Sequence, residues 1–304
     1  MKELDLFIRY MNNKAKAKNT IAQYTRQIQE FFMITKSETL EDLDKLKLED
    51  FESYLESLRE DGDGDATRNA KLSAVKSFFK YLNNNDLIAK NFAERIDPAK
   101  MKKKVSIQPT REEAEKILNS VKRKPKLHTL YTTLMNSGLR IEEALSLRTQ
   151  DFHDGCLFVI DGKGGKDRVV PINSKAQERI QKYIATERKQ WDRESLSTRH
   201  MGNEKLVKQG LKNKDLIFLG KNGLRMFNSN ISVSLDYTAK YCDLPKEKVH
   251  PHAFRHYFAT QFIKQGGKVQ DLQSQLGHES LKTTQIYYEN DISAVQNAMN
   301  GMTF

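Results

Sequence analysis

Near its carboxyl end the chain reads Gln275-Leu-Gly-His278-Glu-Ser-Leu-Lys-Thr-Thr-Gln-Ile-Tyr287. His278 closes the opening triplet, Tyr287 stands nine residues further on, and a second tyrosine, Tyr288, follows at once. A tyrosine hydroxyl has an ordinary pKa of about 10, so at neutral pH it attacks only beside a proton acceptor or in a strongly positive pocket. Candidates for both lie upstream. In Val249-His-Pro-His252-Ala-Phe-Arg255-His256, His252 and Arg255 are three apart, and a helix beginning around His252 puts them on one face. Arg140 follows Gly138-Leu139 and precedes Ile-Glu-Glu-Ala-Leu, which sets it at the start of a helix with Glu143 one turn on. A cation there opposes the helix dipole and points to a role beyond local stability, although a simple pairing with Glu143 would also account for it.

Two β-type runs, CLFVI at 156–160 and RVVPI at 168–172, flank Asp-Gly-Lys-Gly-Gly-Lys, whose glycines suit a tight hairpin with Lys163 and Lys166 at its tip. A hairpin tip of this kind is often only solvated. The alternating carboxylates Asp61, Asp63 and Asp65 suggest a calcium loop, but Ala66 stands where such a loop needs glycine and Leu72 where it needs glutamate, so the segment reads as a turn. His250, His252 and His256 lack the glutamate of a metalloprotease helix. No phosphate-binding loop is present either. Neither a metal nor a nucleotide cofactor is expected.

The chain has 304 residues, 38% hydrophobic and 30% charged, with a net charge of +11. That length favours two folding units. Helical spacing runs through the first 95 or so residues. Ile21, Tyr24, Ile28, Phe31 and Phe32 make one face, Phe51, Tyr54, Leu55 and Leu58 a second, and Leu72, Val75, Phe78, Phe79 and Leu82 a third behind a cap at Thr67. The expected organisation is a helical bundle over 1–97, a linker over 98–109 rich in lysine at 102–104, and a second domain over 110–304. This second domain opens on the capping-box pattern Thr110-Arg-Glu-Glu113 and is helical to about Leu147. A charge-dense stretch from Arg188 to Lys214 reads as an inserted loop or mobile region.

Residues 1–100 carry 17 basic and 18 acidic side chains against 34 and 22 in the remainder, so the basicity belongs to the second domain. A surplus of that size attracts polyanions, nucleic acid above all. No stretch is apolar enough to span a membrane, and the first residues lack a secretory signal. Cys156 and Cys242 match no disulfide or zinc pattern. A cytoplasmic protein is expected.

Taken together these segments resemble the tyrosine recombinases, the phage-type integrases and Xer-type resolvases. The run from Gln275 to Tyr287 resembles the family's Leu-Gly-His box and its nucleophilic tyrosine, SGLRIEEALSL from Ser137 the box of its first arginine, and His252 with Arg255 its His-x-x-Arg box. Lys163 falls where the family's hairpin lysine would be, and the amino-terminal bundle resembles its SAM-like core-binding domain. Phe254 departs from the usual leucine. His250, Lys166 and Tyr288 compete with His252, Lys163 and Tyr287; the three-residue step to Arg255 favours His252, and the spacing from His278 favours Tyr287.

The resemblance implies a mainly α protein, an all-α core-binding domain joined to a mostly helical catalytic domain with a small antiparallel sheet and a tail helix. It implies conservative site-specific recombination: Tyr287 as nucleophile, Arg140, Arg255 and His278 on the phosphate, His252 as proton acceptor, Lys163 as proton donor and Glu143 steering Arg140. The partners it implies are double-stranded DNA bearing recombination sites, three further copies of the chain in a synaptic tetramer, and possible accessory proteins. Ile292, Val295 and Met299 recur at helical spacing, and the tail that carries them would pack on a neighbouring protomer or on its own chain. Two readings stand against this one. A type IB topoisomerase would relax supercoils without needing two defined sites, and a non-catalytic DNA-binding protein would have no use for an aligned nucleophile.

Overall fold

A computed structural model describes residues 1–101, 107–160 and 167–277. The chain divides into two compact units, Met1–Lys104 and Val105–Phe304. The first contains α1 (Lys2–Asn13), α2 (Lys18–Thr35), α3 (Leu40–Lys45), α4 (Leu48–Glu60) and α5 (Asp65–Asn84). Its core is aromatic. Phe31 meets Tyr54 edge-on at 4.9 Å between ring centroids, and Phe51 meets Phe79 at 5.0 Å, arrangements that suit ring quadrupoles. Phe78, Phe79, Leu72, Val75 and Leu82 of α5 are all buried, as their spacing predicts. Thr67 is not the cap, however: α5 starts at Asp65 behind Gly64, where an acid in the first turn is favoured by the dipole and pairs with Arg68 one turn on. Asp63 in turn binds Lys71 Nζ at 2.7 Å. The carboxylates at 63 and 65 are thus engaged by basic side chains of α5, in keeping with a turn.

The second unit begins at α6 (Arg111–Ser120), capped reciprocally as its sequence predicts: Thr110 N–H donates to Glu113 Oε2 at 2.8 Å and Glu113 N–H to Thr110 Oγ1 at 3.2 Å. Next come α7 (Pro125–Ser137) and α8 (Ile141–Ser146). Every residue from Thr129 to Met135 is buried, so α7 is the central rod on which α9 (Ser174–Lys182) and α13 (Pro251–Lys264) pack. Strands β2 (Cys156–Val159) and β3 (Arg168–Pro171) pair antiparallel with Leu157 opposite Val170, as expected; the short β1 (Phe152–His153), too brief to show periodicity, adds a third strand in the order β1-β2-β3. The remaining helices are α10 (Arg193–Arg199), α11 (Glu204–Asn213), α12 (Asn228–Tyr241) and α14 (Val269–Leu276).

The stretch from Arg188 to Lys214 is folded, contrary to the loop expected of it. Helices α10 and α11 form a hairpin over a small core of Trp191, Leu196, Val207, Leu216 and Leu219. So few apolar residues among so many charges leave a faint helical pattern, but they suffice for a two-helix hairpin seated on the larger domain. Its ends are tied by Arg188, a buried residue whose Nε donates to Leu216 O at 3.0 Å and whose Nη2 donates to Lys214 O. Beyond it Ile217 N–H donates to Leu147 O at 2.8 Å and returns the chain to the core.

Candidate active site

Gly138 ends α7 in the left-handed region, at φ +66°, and this turn aims the next residues back along the domain. A Cβ at Gly138 would come within 2.5 Å of Phe258 Cδ1 and 2.7 Å of Leu276 Cδ2, so the position requires glycine on both conformational and spatial grounds. Arg140 then caps α8. Its backbone N–H donates to Glu143 Oε2 at 2.8 Å and its Nη1 to Glu143 Oε1 at 3.1 Å, a local pairing of the kind its spacing suggested.

Glu143 carries a larger load than Arg140 alone. Arg168, the first residue of β3, grips the same carboxylate with both ends of its fork, Nη1 to Oε1 at 3.0 Å and Nη2 to Oε2 at 2.8 Å. Arg168 Nε donates to Gln275 O at 3.1 Å, and Gln275 Nε2 donates back to Pro171 O at 2.9 Å. Burial alone would raise the Glu143 carboxyl; the Arg168 hydrogen bonds, the Arg140 N–H and the two guanidinium charges outweigh it and hold the pKa below its ordinary value. The carboxylate stays charged and fixed. Neither Arg168 nor Gln275 was expected here, although one signal was available: strand alternation puts Arg168 on the face of buried Val170, where a guanidinium needs an acid.

Helix α13 begins at Pro251, with His250 as its N-cap: His250 Nδ1 accepts from Ala253 N–H at 3.2 Å. His250 therefore has a local task as the cap of this helix. His252 is exposed on α13, and its pKa lies below 6.5 because the protein packed around the ring penalises the cation and because His250, Arg255 and Arg140 all oppose its protonation. At neutral pH its ring is uncharged and able to accept a proton.

Arg255 is 5% exposed and binds main chain: Nη1 donates to Gly138 O at 2.6 Å and Nη2 to Leu276 O at 2.8 Å. It thus places a permanent charge at the carboxyl ends of two helices, α7 and α14, where the dipoles favour it. Between them Arg168 and Arg255 hold the carbonyls of Gln275 and Leu276, and a Cβ at Gly277, φ +64°, would lie 3.2 Å from Arg168 Nε. Arg140, His252 and Arg255 are gathered in one neighbourhood, with the end of α14 pinned beside them. Lys163 and its competitor Lys166, His278, Tyr287 and Tyr288, and the tail after them, lie outside the described residues. Among the described residues no group of three His, Cys, Asp or Glu side chains is placed to hold a metal ion, and no helix is long and apolar enough to cross a membrane.

Comparison with known proteins shows the family. The model of the phage integrase family matches residues 109–293, and that of the phage integrase N-terminal SAM-like domain matches residues 4–85. Tyrosine recombinase XerC of Oceanobacillus iheyensis is 28% identical over 291 residues, covering 93% of this chain and 90% of its own. Tyrosine recombinase XerA of Pyrococcus horikoshii is 29% identical over 286 residues, covering 93% and 87%. Among solved structures, the Tn1549 transposon integrase in complex with transposon right end DNA aligns over 98% of both chains with a TM-score of 0.75 at 20% identity. A lambda integrase dimer bound to a core site aligns over 94% of both with a TM-score of 0.72 at 18% identity, a likeness of fold. The chain belongs to the phage integrase family, and the enzyme is a tyrosine recombinase.

Proposed function

We propose that this enzyme cuts and rejoins double-stranded DNA at defined sites, with Tyr287 as nucleophile and a 3′-phosphotyrosyl bond as the intermediate. The observation that carries the reading is the meeting of Arg140, His252 and Arg255 beside the pinned end of α14, two residues of sequence before His278. In this reading the Tyr287 oxygen attacks phosphorus, its proton passes to the uncharged His252, and the bond from phosphorus to the 5′ oxygen breaks. Lys163 gives the departing oxygen its proton. Arg140 and Arg255 donate to the nonbridging oxygens as negative charge builds there, with His278 as a further donor. Because the phosphotyrosyl bond conserves the energy of the bond it replaces, attack by a second strand's 5′ hydroxyl rejoins the DNA without ATP.

Glu143 and Arg168 act as positioning residues, holding Arg140 at the phosphate. The amino-terminal bundle, as a core-binding domain, adds its own grip on the duplex. Four copies assemble on two sites in the cytoplasm, with accessory proteins where the site demands them. Suicide duplexes nicked near the cut test the chemistry. The wild type is expected to leave a covalent protein–DNA band on a denaturing gel and Tyr287→Phe none; a band of equal strength from Tyr287→Phe would refute the assignment.

A further inference from the structure

On the other flank of α8 the second unit carries a groove of about 880 Å³ that the chemistry above does not use. Five cations line it, Lys124, Lys126, Arg199, Lys221 and Arg225, with Phe227 at one lip, 55% exposed; among the described residues no carboxylate lines it. The amino-terminal ends of two long helices, α7 at Pro125 and α12 at Asn228, also border it, adding N–H groups and positive dipole ends. Lys126 is the deepest of the cations. Its Nζ donates to Leu219 O, and burial, with the charge of Lys221 nearby, presses its pKa down.

Two contacts relate this groove to the rest of the molecule. Arg225 Nη2 donates to Glu142 Oε2 at 3.2 Å and to Ser146 Oγ at 2.8 Å, both on the helix that Arg140 caps, so the groove abuts the site through α8. Arg199, by contrast, comes from the inserted hairpin. The hairpin is seated on the groove's own turn: His200 Nε2 lies 2.9 Å from Asn222 O, and Leu196 and Trp191 press on Gly223, where a Cβ would come within 2.7 Å of each. The insertion therefore has a fixed place at the groove and adds Arg199 to its lining.

We propose that this groove binds the phosphate backbone of the duplex next to the cleaved phosphodiester, and that the inserted hairpin serves to extend the grip through Arg199. Cations spread along an open groove on several elements suit a chain of phosphates better than one small anion. The proposal rests on the reading of the chain as a DNA-cutting enzyme.

Fluorescence anisotropy of the full chain with a labelled mixed-sequence duplex of about 40 base pairs, titrated with potassium chloride, tests it. Arg199→Glu/Lys221→Glu changes two exposed residues of the groove, and Lys205→Glu/Lys208→Glu makes the same charge change on exposed residues of α11 outside it. The groove variant is expected to bind on the order of ten-fold more weakly than the α11 variant and to flatten the slope of log affinity against log salt by about two. Arg199→Ala alone should flatten it by about one. Equal affinity and slope in the two double variants would overturn the groove while leaving the recombinase reading intact. A groove variant that keeps duplex binding and loses only inorganic pyrophosphate would also overturn it. A wild type that neither binds the duplex nor forms the covalent band would remove both.

Discussion

Arg255 combines two demands that a surface arginine never meets together: it is buried, and its fork ends on the last carbonyls of two helices. Arg255→Met would leave both carbonyls without a strong donor in a dry site, and thermal denaturation should show a loss of about 3 kcal/mol. The covalent band should vanish too. Two histidines of the same helix answer to pH differently. His256 is pushed down to about 4 by burial and by the neighbouring His252, Arg255 and His250. Its folded pKa lies below the unfolded value near 6.5, so the unfolded chain takes up the proton first. The stability it contributes is complete above pH 6.5 and is lost as the pH falls toward 4, by up to about 1.4 kcal/mol per pH unit. Melting temperatures from pH 7 to 4.5 should fall more steeply for the wild type than for His256→Asn; parallel curves would exclude His256 as the cause. His252 is also depressed, so cleavage limited by proton acceptance should hold its rate through pH 6.5 and decline only below it.

At the level of elements, the network of Glu143, Arg140 and Arg168 ties α8 to β3 and, through the Gln275 carbonyl, to the end of α14. Lysine at 168 keeps the charge but not the fork, so Arg168→Lys should slow covalent complex formation by at least roughly ten-fold while DNA affinity changes little. A double-mutant cycle with Glu143→Gln should give a coupling of about 1–3 kcal/mol; additive effects would mean that the two side chains act independently. Gly138→Ala has to place a methyl group against Phe258 and Leu276 at positive φ, and a loss of about 2–4 kcal/mol in a urea titration is expected. The capping box at Thr110, the helical faces of the bundle and the hairpin strands were all legible in the sequence, because caps and periodicity are local. The α10–α11 hairpin was not, since its five-residue core leaves a pattern that its charges conceal. The Thr67 cap failed for a related reason: Gly64 and Asp65 nearby start the helix two residues earlier.

For the whole molecule, the net charge of +11 lies entirely beyond residue 100, and affinity for DNA should fall steeply between 0.05 and 0.2 M salt, by about a thousand-fold if six phosphates are neutralised. A flat response would contradict a phosphate-dominated interface. Supercoiled plasmids with one or two copies of the same site separate recombination from relaxation, and recombinant circles are expected only where two sites are present. The motif spacings from Arg140 to Tyr287 were enough to point to the family and its class of enzyme, because that resemblance is carried by residue type and order. Which atoms hold which was decided only by the fold. Arg168 and Gln275 meet Glu143 and Ser137 across 25 and 138 residues of chain, and Arg255 reaches Gly138 across 117. Contacts of that range leave no periodic trace in sequence, since they depend on where packing brings the ends of α7, β3 and α14 together.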